Sequence, residues 1–194
     1  MPMSEIACIV EGAGDVAAVP VLIRRICASA NVLPPIRIPK SRVLQPGELE
    51  RAVELAVRKT TGRGAILLLI DADDDCPAEI GPRLLRCVRT ARSDVYSAAV
   101  IAKSEFEAWF LAAAESIRGK RGLRDDLVAP ADPESIRGAK EWLSRHMPAG
   151  RSYRETLDQP ALAAIFDLTL ARRAPSFAKF EREVLRICQE LVSS

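Results

Sequence analysis

Histidine is almost missing from this chain. There is one, His146, in 194 residues, and aromatic residues make up only 5% of the sequence. A cysteine nucleophile needs a base to become a thiolate. Cys76, which sits beside a run of acids, is far in sequence from that histidine, so a Cys–His enzyme is disfavoured. The five cysteines, Cys8, Cys27, Cys76, Cys87 and Cys188, are odd in number and scattered, with no Cys-x-x-Cys spacing for zinc or redox work. Most are expected to be reduced, small core residues. The chain is 48% hydrophobic and 28% charged, yet no uninterrupted apolar run is long enough to cross a bilayer, so a soluble protein without a membrane partner is expected. Met1-Pro-Met-Ser-Glu5 runs straight into a strand pattern without a charged-then-apolar leader, which makes a cytoplasmic location the expectation. No Walker A loop is present, so the chain is not itself a P-loop ATPase. Glu11-Gly-Ala-Gly-Asp15 lacks the third glycine of a dinucleotide fingerprint, and a tight turn explains it more simply. Neither an internal repeat nor a low-complexity linker is visible.

What is present is alternation. Ser4 to Val10 is an apolar strand pattern, followed by a glycine turn and helical spacing from Val16 to Val32, with Pro20 tolerated if it falls in the helix's first turn and Asn31 and Pro34 closing the segment. Ile36 to Pro39 reads as a short edge strand, because proline does not suit a central one. Pro46 and Gly47 open a helix from Glu48 to Thr60, with Leu49, Ala52, Val53, Ala56 and Val57 on one face and Gly62 and Gly64 ending it. A strand from Ala65, a helix from Pro77 to about Arg92, a strand from Val95 to Ala102 and a turn into helix through Leu111 follow. Such alternation predicts an α/β fold, a mostly parallel sheet of about four strands flanked by helices with right-handed crossovers. Beyond Ile117 only helices are predicted, at 133–146, 160–173 and 176–191, with Phe177, Phe180, Val184 and Leu185 as core alongside Trp109, Phe110 and Leu111. Residues 1–117 therefore read as the α/β domain and 118–194 as a helical extension packed on it.

The chain is organised around Ala65-Ile-Leu-Leu-Leu-Ile-Asp-Ala-Asp-Asp-Asp75, an apolar run ending in four carboxylates. The run fits a strand covered on both faces, and strand period points Asp71 and Asp73 the same way. A capping turn also uses aspartate, but it does not need four mutually repelling ones. Open α/β sheets bind ligands at the carboxyl ends of their strands. Three strand ends here supply acids: Glu11 with Asp15, Asp71 with Asp73, and Glu105 with Glu107. These six are the candidate ligands for a hard divalent cation, Mg²⁺ or alternatively Mn²⁺. Glu11, Asp71 and Asp73 are also the candidate catalytic groups, with Lys103 as the helping cation and Lys179 as its alternative. Glu11, at the end of an apolar strand, is expected to have a raised pKa suited to proton transfer. Arg118, Lys120, Arg121 and Arg124 form a short basic patch, the candidate nucleic-acid contact, although it lacks aromatic interleaving for base stacking, which favours a solvated loop slightly over a phosphate-contacting patch.

A strand-end Glu with a second acid four residues on, together with a strand-end Asp-x-Asp, resembles the Toprim domain of topoisomerases, primases and overcoming-lysogenization-defect (OLD) nucleases, over roughly residues 4–110. The resemblance implies that Glu11 acts as general acid/base or metal ligand and that Asp71 and Asp73 bind Mg²⁺. The OLD branch adds an acid at the position of Asp15 and a Ser-x-Glu segment, here Ser104 with Glu105 or Glu107. The whole chain is still more similar to the small bacterial proteins of domain-of-unknown-function family 4276. The matching pieces are the Val10-Glu11-Gly12 start, the aspartate-rich third strand, Glu105-Phe-Glu-Ala-Trp109 and Ala174-Pro-Ser-Phe-Ala-Lys-Phe180. That resemblance implies an ATPase partner in a phage-defence setting; the sequence departs in having Asp15 where many members have Glu, and in lacking a strongly basic groove. The chain is too short for the strand-passing domain of a topoisomerase, whose nucleophile would have to be Tyr96 or Tyr153, and it lacks the zinc and helicase-binding modules of a primase. A small Mg²⁺-dependent nuclease of DNA or RNA is the expectation. The alternatives are a non-catalytic Toprim-like module that docks an ATPase or senses nucleic acid and, more weakly, a divalent-ion-dependent nucleotide-sugar transferase using Asp71-Ala-Asp73, which leaves Glu11 unexplained.

Overall fold

The structure is a computed structural model that describes residues 4–61 and 64–193. Its centre is β4 (Gly64–Asp71), whose residues from Ala65 to Ile70 are all buried. On one side β4 pairs with β1 (Ser4–Val10), and on the other with β5 (Tyr96–Ala102). β1 carries β2 (Ala30–Val32) against its first half and β3 (Ile36–Arg37) against its end. Every pairing is parallel, in the order β2-β1-β4-β5. The α/β architecture expected from the alternation is therefore present.

Side chains of successive strand residues face opposite ways, and this sorts the core into two halves. Ile9, Ile66, Leu68, Ile70 and Ile101 meet the single turn α2 (Lys40–Val43) and the apolar stripes of α3 (Glu48–Lys59) and α4 (Pro77–Ala91). Val10, Leu67, Leu69 and Val100 meet α1 (Asp15–Ile26), α5 (Ala108–Ala112) and α9 (Pro175–Ser193). The second half holds most of the aromatic residues. Phe106, Trp109, Phe110, Phe166, Phe177 and Phe180 are fully buried, with ring centroids such as Trp109–Phe180 at 5.1 Å and Phe110–Phe166 at 5.3 Å. Trp109 Nε1 donates to Ser176 Oγ at 2.7 Å, so the indole joins β5's exit to the start of α9 by both packing and a hydrogen bond. Between α5 and α9 lie α6 (Ala139–Arg145), α7 (Glu155–Ala163) and the single turn α8 (Leu168–Ala171). α7 packs on α1, and α9 lies across β5, β1 and β4.

Several sequence expectations shift. The helix expected over 16–32 stops at Ile26, and Ala30–Val32 becomes a strand because its pairing with Ser4–Ile6 outweighs local helical spacing. Pro20 stands inside α1 rather than in its first turn. The helix expected over 133–146 is broken by Gly138, whose φ of 69° is left-handed, so only a 3-10 turn at Pro133–Ser135 precedes α6. The one expected over 160–173 divides into α7 and α8, the latter capped by Asp167, whose carboxylate accepts from the Thr169 and Leu170 N–H groups. The helix expected to grow out of Lys103–Leu111 begins only at Ala108. The role given to Gly62 lies outside the described residues. Leu185 is 43% exposed rather than core. Cys27 and Cys188 are joined as a disulfide, a pair that their separation of 161 residues conceals and that the packing of α1 against α9 brings together. Cys8, Cys76 and Cys87 are free.

Trp109→Ala is expected to cost about 3–5 kcal/mol by leaving a cavity where β5, α5 and α9 meet. Leu185→Ala on the exposed face of α9 should stay within about 0.5 kcal/mol. Urea unfolding followed by far-UV circular dichroism measures both.

Candidate active site

Parallel strands share one carboxyl edge, and the register sets Val10 against Leu69 and Asp71 against Ala102. The acids that follow β1, end β4 and follow β5 are thereby brought to the same rim. Glu11 Oε2 accepts the Asp71 backbone N–H at 3.2 Å, and Asp71 Oδ1 accepts the Phe106 N–H at 3.0 Å. Asp15 opens α1 almost fully buried, with Oδ2 on the Gly12 N–H at 2.8 Å and Oδ1 on Gln159 Nε2 at 2.6 Å. Glu107 is completely buried, and its Oε1 accepts from Tyr153 Oη at 3.0 Å. Its other oxygen, Oε2, has no hydrogen-bond partner. The nearest cation is the Lys140 ammonium at 3.9 Å, which also stands 3.4 Å from Glu155 Oε2.

The glycine turn takes its character from this arrangement. A Cβ on Gly14 would lie 1.8 Å from Gln159 Oε1 and 2.7 Å from Glu155 Cγ, and one on Gly12 would lie 2.8 Å from Glu155 Oε1. Only glycine lets the turn approach α7 closely enough for Glu155 Oε1 to accept the Gly14 N–H at 2.8 Å.

Asp71 and Asp73 do not act as a strand pair. β4 ends at Asp71, and Asp73 adopts a left-handed φ of 51°, a conformation that aspartate tolerates better than most residues. The strand alternation is lost there, which corrects the expectation that both carboxylates point the same way. Asp73 is exposed and pairs with Lys40 Nζ at 3.0 Å; the same ammonium reaches Asp75 at 2.9 Å and the Ala72 carbonyl. Glu105 is drawn off as well, its Oε2 accepting the Lys140 backbone N–H at 3.3 Å in the first turn of α6. Lys103 is exposed. The basic patch is largely engaged within the chain: Arg118 donates to the Leu127 carbonyl, Arg121 to buried Asp158 and Arg124 to Asp126, while Lys120 is exposed.

The acids thus form an inner group of Asp15, Asp71 and Glu107, an outer group of Asp73 and Asp75 on Lys40, and Glu11 between them. Burial dominates the inner electrostatics. It raises Asp71 well above the ordinary aspartate value, and the charges of Asp15, Glu107 and Glu11 raise it further. Burial also raises Asp15 and Glu11, the latter against the hydrogen bond from Asp71 N–H. Glu107 is pushed up by burial to about 8. Burial works against the Lys140 ammonium, but Glu107, Glu155 and Asp71 outweigh it and raise its pKa. Among the described residues, no group of three or more acidic, cysteine or histidine side chains stands close enough together to hold a metal ion. The donor set nevertheless suits a hard cation. It consists of carboxylate oxygens whose mutual repulsion a divalent charge would relieve, and it includes one buried oxygen, Glu107 Oε2, that accepts no hydrogen bond. Asp71, Glu107, Asp15 and Glu11 are the residues that would have to draw together to hold one.

Lys40, Lys140, Tyr153, Glu155 and Gln159 went unnoticed in the sequence. Glu155 and Gln159 are four residues apart, on one face of α7, but only a partner surface gives that spacing meaning. Nothing in the sequence distinguishes the two lysines from the other basic residues.

In metal-free buffer the folded protein keeps a proton on Glu107 up to about pH 8, whereas the unfolded chain releases it near the ordinary value of 4.5. The folded state therefore binds more protons across that window, and stability falls as pH rises through it. Glu107→Gln should remove Glu107's share of the slope, leaving those of Asp71, Asp15 and Glu11, when urea midpoints are compared at pH 5, 6.5 and 8 with chelator present.

A family model described as Domain of unknown function (DUF4276) matches residues 10–185. No curated protein and no solved structure matches the chain. The matched stretch runs from the end of β1 into α9 and takes in Glu11, Asp15, Asp71, Glu107, Lys140 and Glu155 alike, and with most of its length covered the chain belongs to the DUF4276 family.

Proposed function

We propose that this protein is a Toprim-type nuclease that hydrolyses phosphodiester bonds of nucleic acid with Mg²⁺, working as the effector of an ATPase. The observation that carries the reading is the meeting of Glu11, Asp15, Asp71 and Glu107 at the carboxyl edge of the sheet, with one buried Glu107 oxygen that accepts no hydrogen bond. Bound by such carboxylates, Mg²⁺ would offset charge on the nonbridging phosphate oxygens and acidify a water. The chain's own residues have separate tasks. Asp71 is oriented by the Phe106 N–H and Asp15 by Gly12 and Gln159, so neither turns freely. Glu11 is half-buried with a raised pKa, and its hydrogen bond to Asp71 N–H leaves Oε1 to exchange a proton with water or leaving group. Lys40 is held over the rim by Asp73 and Asp75, and takes the role of local cation better than exposed Lys103.

One observation favours the second reading, a non-catalytic module that docks an ATPase: Lys140 already supplies positive charge beside Glu107 and Glu155. Calorimetric titration of Mg²⁺ and Mn²⁺, with cleavage assays on labelled DNA and RNA, separates the two. In Asp71→Asn the amide oxygen keeps the Phe106 hydrogen bond, so the variant should fold while losing metal binding and about 10²-fold or more of the cleavage rate. A wild-type protein that binds neither ion, even with nucleic acid present, would leave only the docking module.

A further inference from the structure

The C-terminal part of the chain reaches the strand-end acids with several separate contacts. Tyr153 donates to Glu107, Gln159 to Asp15, and Glu155 binds the glycine turn through Gly14 N–H. Lys140 is the one of these that brings positive charge. Its ammonium lies 3.9 Å from Glu107 Oε2, too long for a hydrogen bond, and 3.4 Å from Glu155 Oε2. Its backbone, by contrast, is fixed at the start of α6, where its N–H donates to Glu105. A lysine head on a flexible four-carbon stem can leave such a place while its Cα stays put, and the side chain is 37% exposed, so water is within reach.

Resting on the metal reading of this site, we infer that Lys140 is a built-in counter-ion that occupies the acid cluster in place of the divalent cation and is expelled when the cation binds. Glu107 Oε2, which accepts no hydrogen bond, and the Lys140 ammonium form a long ion pair at 3.9 Å. An ion binding that oxygen would sit beside the ammonium, and two like charges so close in a half-buried site repel strongly. Without an ion, Lys140 is the cation set beside Glu107 and Glu155, and it offsets the negative charge these acids carry whenever they ionise. With an ion bound, the same charge is superfluous there and swings outward. The apo protein is thereby closed to weakly bound cations, and its affinity for metal is set by the exchange of one charge for another.

The exchange is reciprocal, so removing the competitor must strengthen metal binding. Mn²⁺ binding followed by electron paramagnetic resonance is expected to tighten about tenfold or more in Lys140→Met, whereas Lys140→Arg, which keeps the charge, should stay near wild type. In chelator Lys140→Met should melt below wild type, and Mn²⁺ should restore it. In the unmodified protein, saturating Mn²⁺ should raise reductive methylation of Lys140 severalfold relative to exposed Lys120, read by mass spectrometry; this arm does not depend on any variant folding. Unchanged Lys140 labelling at saturating Mn²⁺, or equal Mn²⁺ affinity in wild type and Lys140→Met, would overturn the exchange while leaving the metal site in place. Absence of Mn²⁺ binding in both proteins would overturn the metal site and the exchange together.

Discussion

Parallel pairing of β1, β4 and β5 forces their carboxyl ends to one edge, and each end here carries acid. The cost of that gathering governs much else in the molecule. A carboxylate taken out of water needs hydrogen bonds or opposite charge, and the local backbone provides little: Gly12 N–H for Asp15, Asp71 N–H for Glu11, Phe106 N–H for Asp71. The remaining partners come from far along the chain, in Lys140, Tyr153 and Gln159. Without that segment Glu107 would lose Tyr153 and Lys140, and Asp15 would keep the Gly12 N–H but lose Gln159.

The same segment is held by the apolar core. α9 lies across β5, β1 and β4, and its Phe177 and Phe180 pack on Trp109, only two residues past Glu107. Trp109 in turn bonds Ser176, whose own N–H donates to buried Glu134. Packing of the C-terminal helices and placement of the site's polar partners are therefore one structural event. The 118–194 segment is as much part of the site as of the core.

This division explains which features could be read from the sequence. Ala65 to Ile70 announced a buried strand because strand burial on both faces leaves a continuous apolar run, and the acids at its tip were visible for the same reason. Glu11 and Asp15 were legible through the glycines between them, although the reason for those glycines, the close approach of Glu155 and Gln159, was not. The strand period does not carry from Asp71 to Asp73, since sequence spacing shows a strand's period but not the residue at which the strand ends. Lys40 and Lys140 were invisible. A lysine gains its meaning from the carboxylates it meets in space: for Lys40 these are Asp73 and Asp75, and for Lys140 they are Glu107 and Glu155, none of them a neighbour in sequence. The disulfide between Cys27 and Cys188 escaped for a like reason.

The two lysines differ in what they can govern. Lys40 bridges Asp73 and Asp75, whose side chains are 55% and 52% exposed. Pairs of that kind are screened by water and salt and contribute little to stability, so Lys40 shapes the turn after β4 and the potential at the rim. Lys140 faces Glu107, whose side chain is 1% exposed. Water cannot replace an ammonium there, and a change at Lys140 must be answered by another cation, by protonation of the acids or by opening of the cover. The inner group is where charge, fold and chemistry are coupled, while the outer group can be altered with the inner one intact.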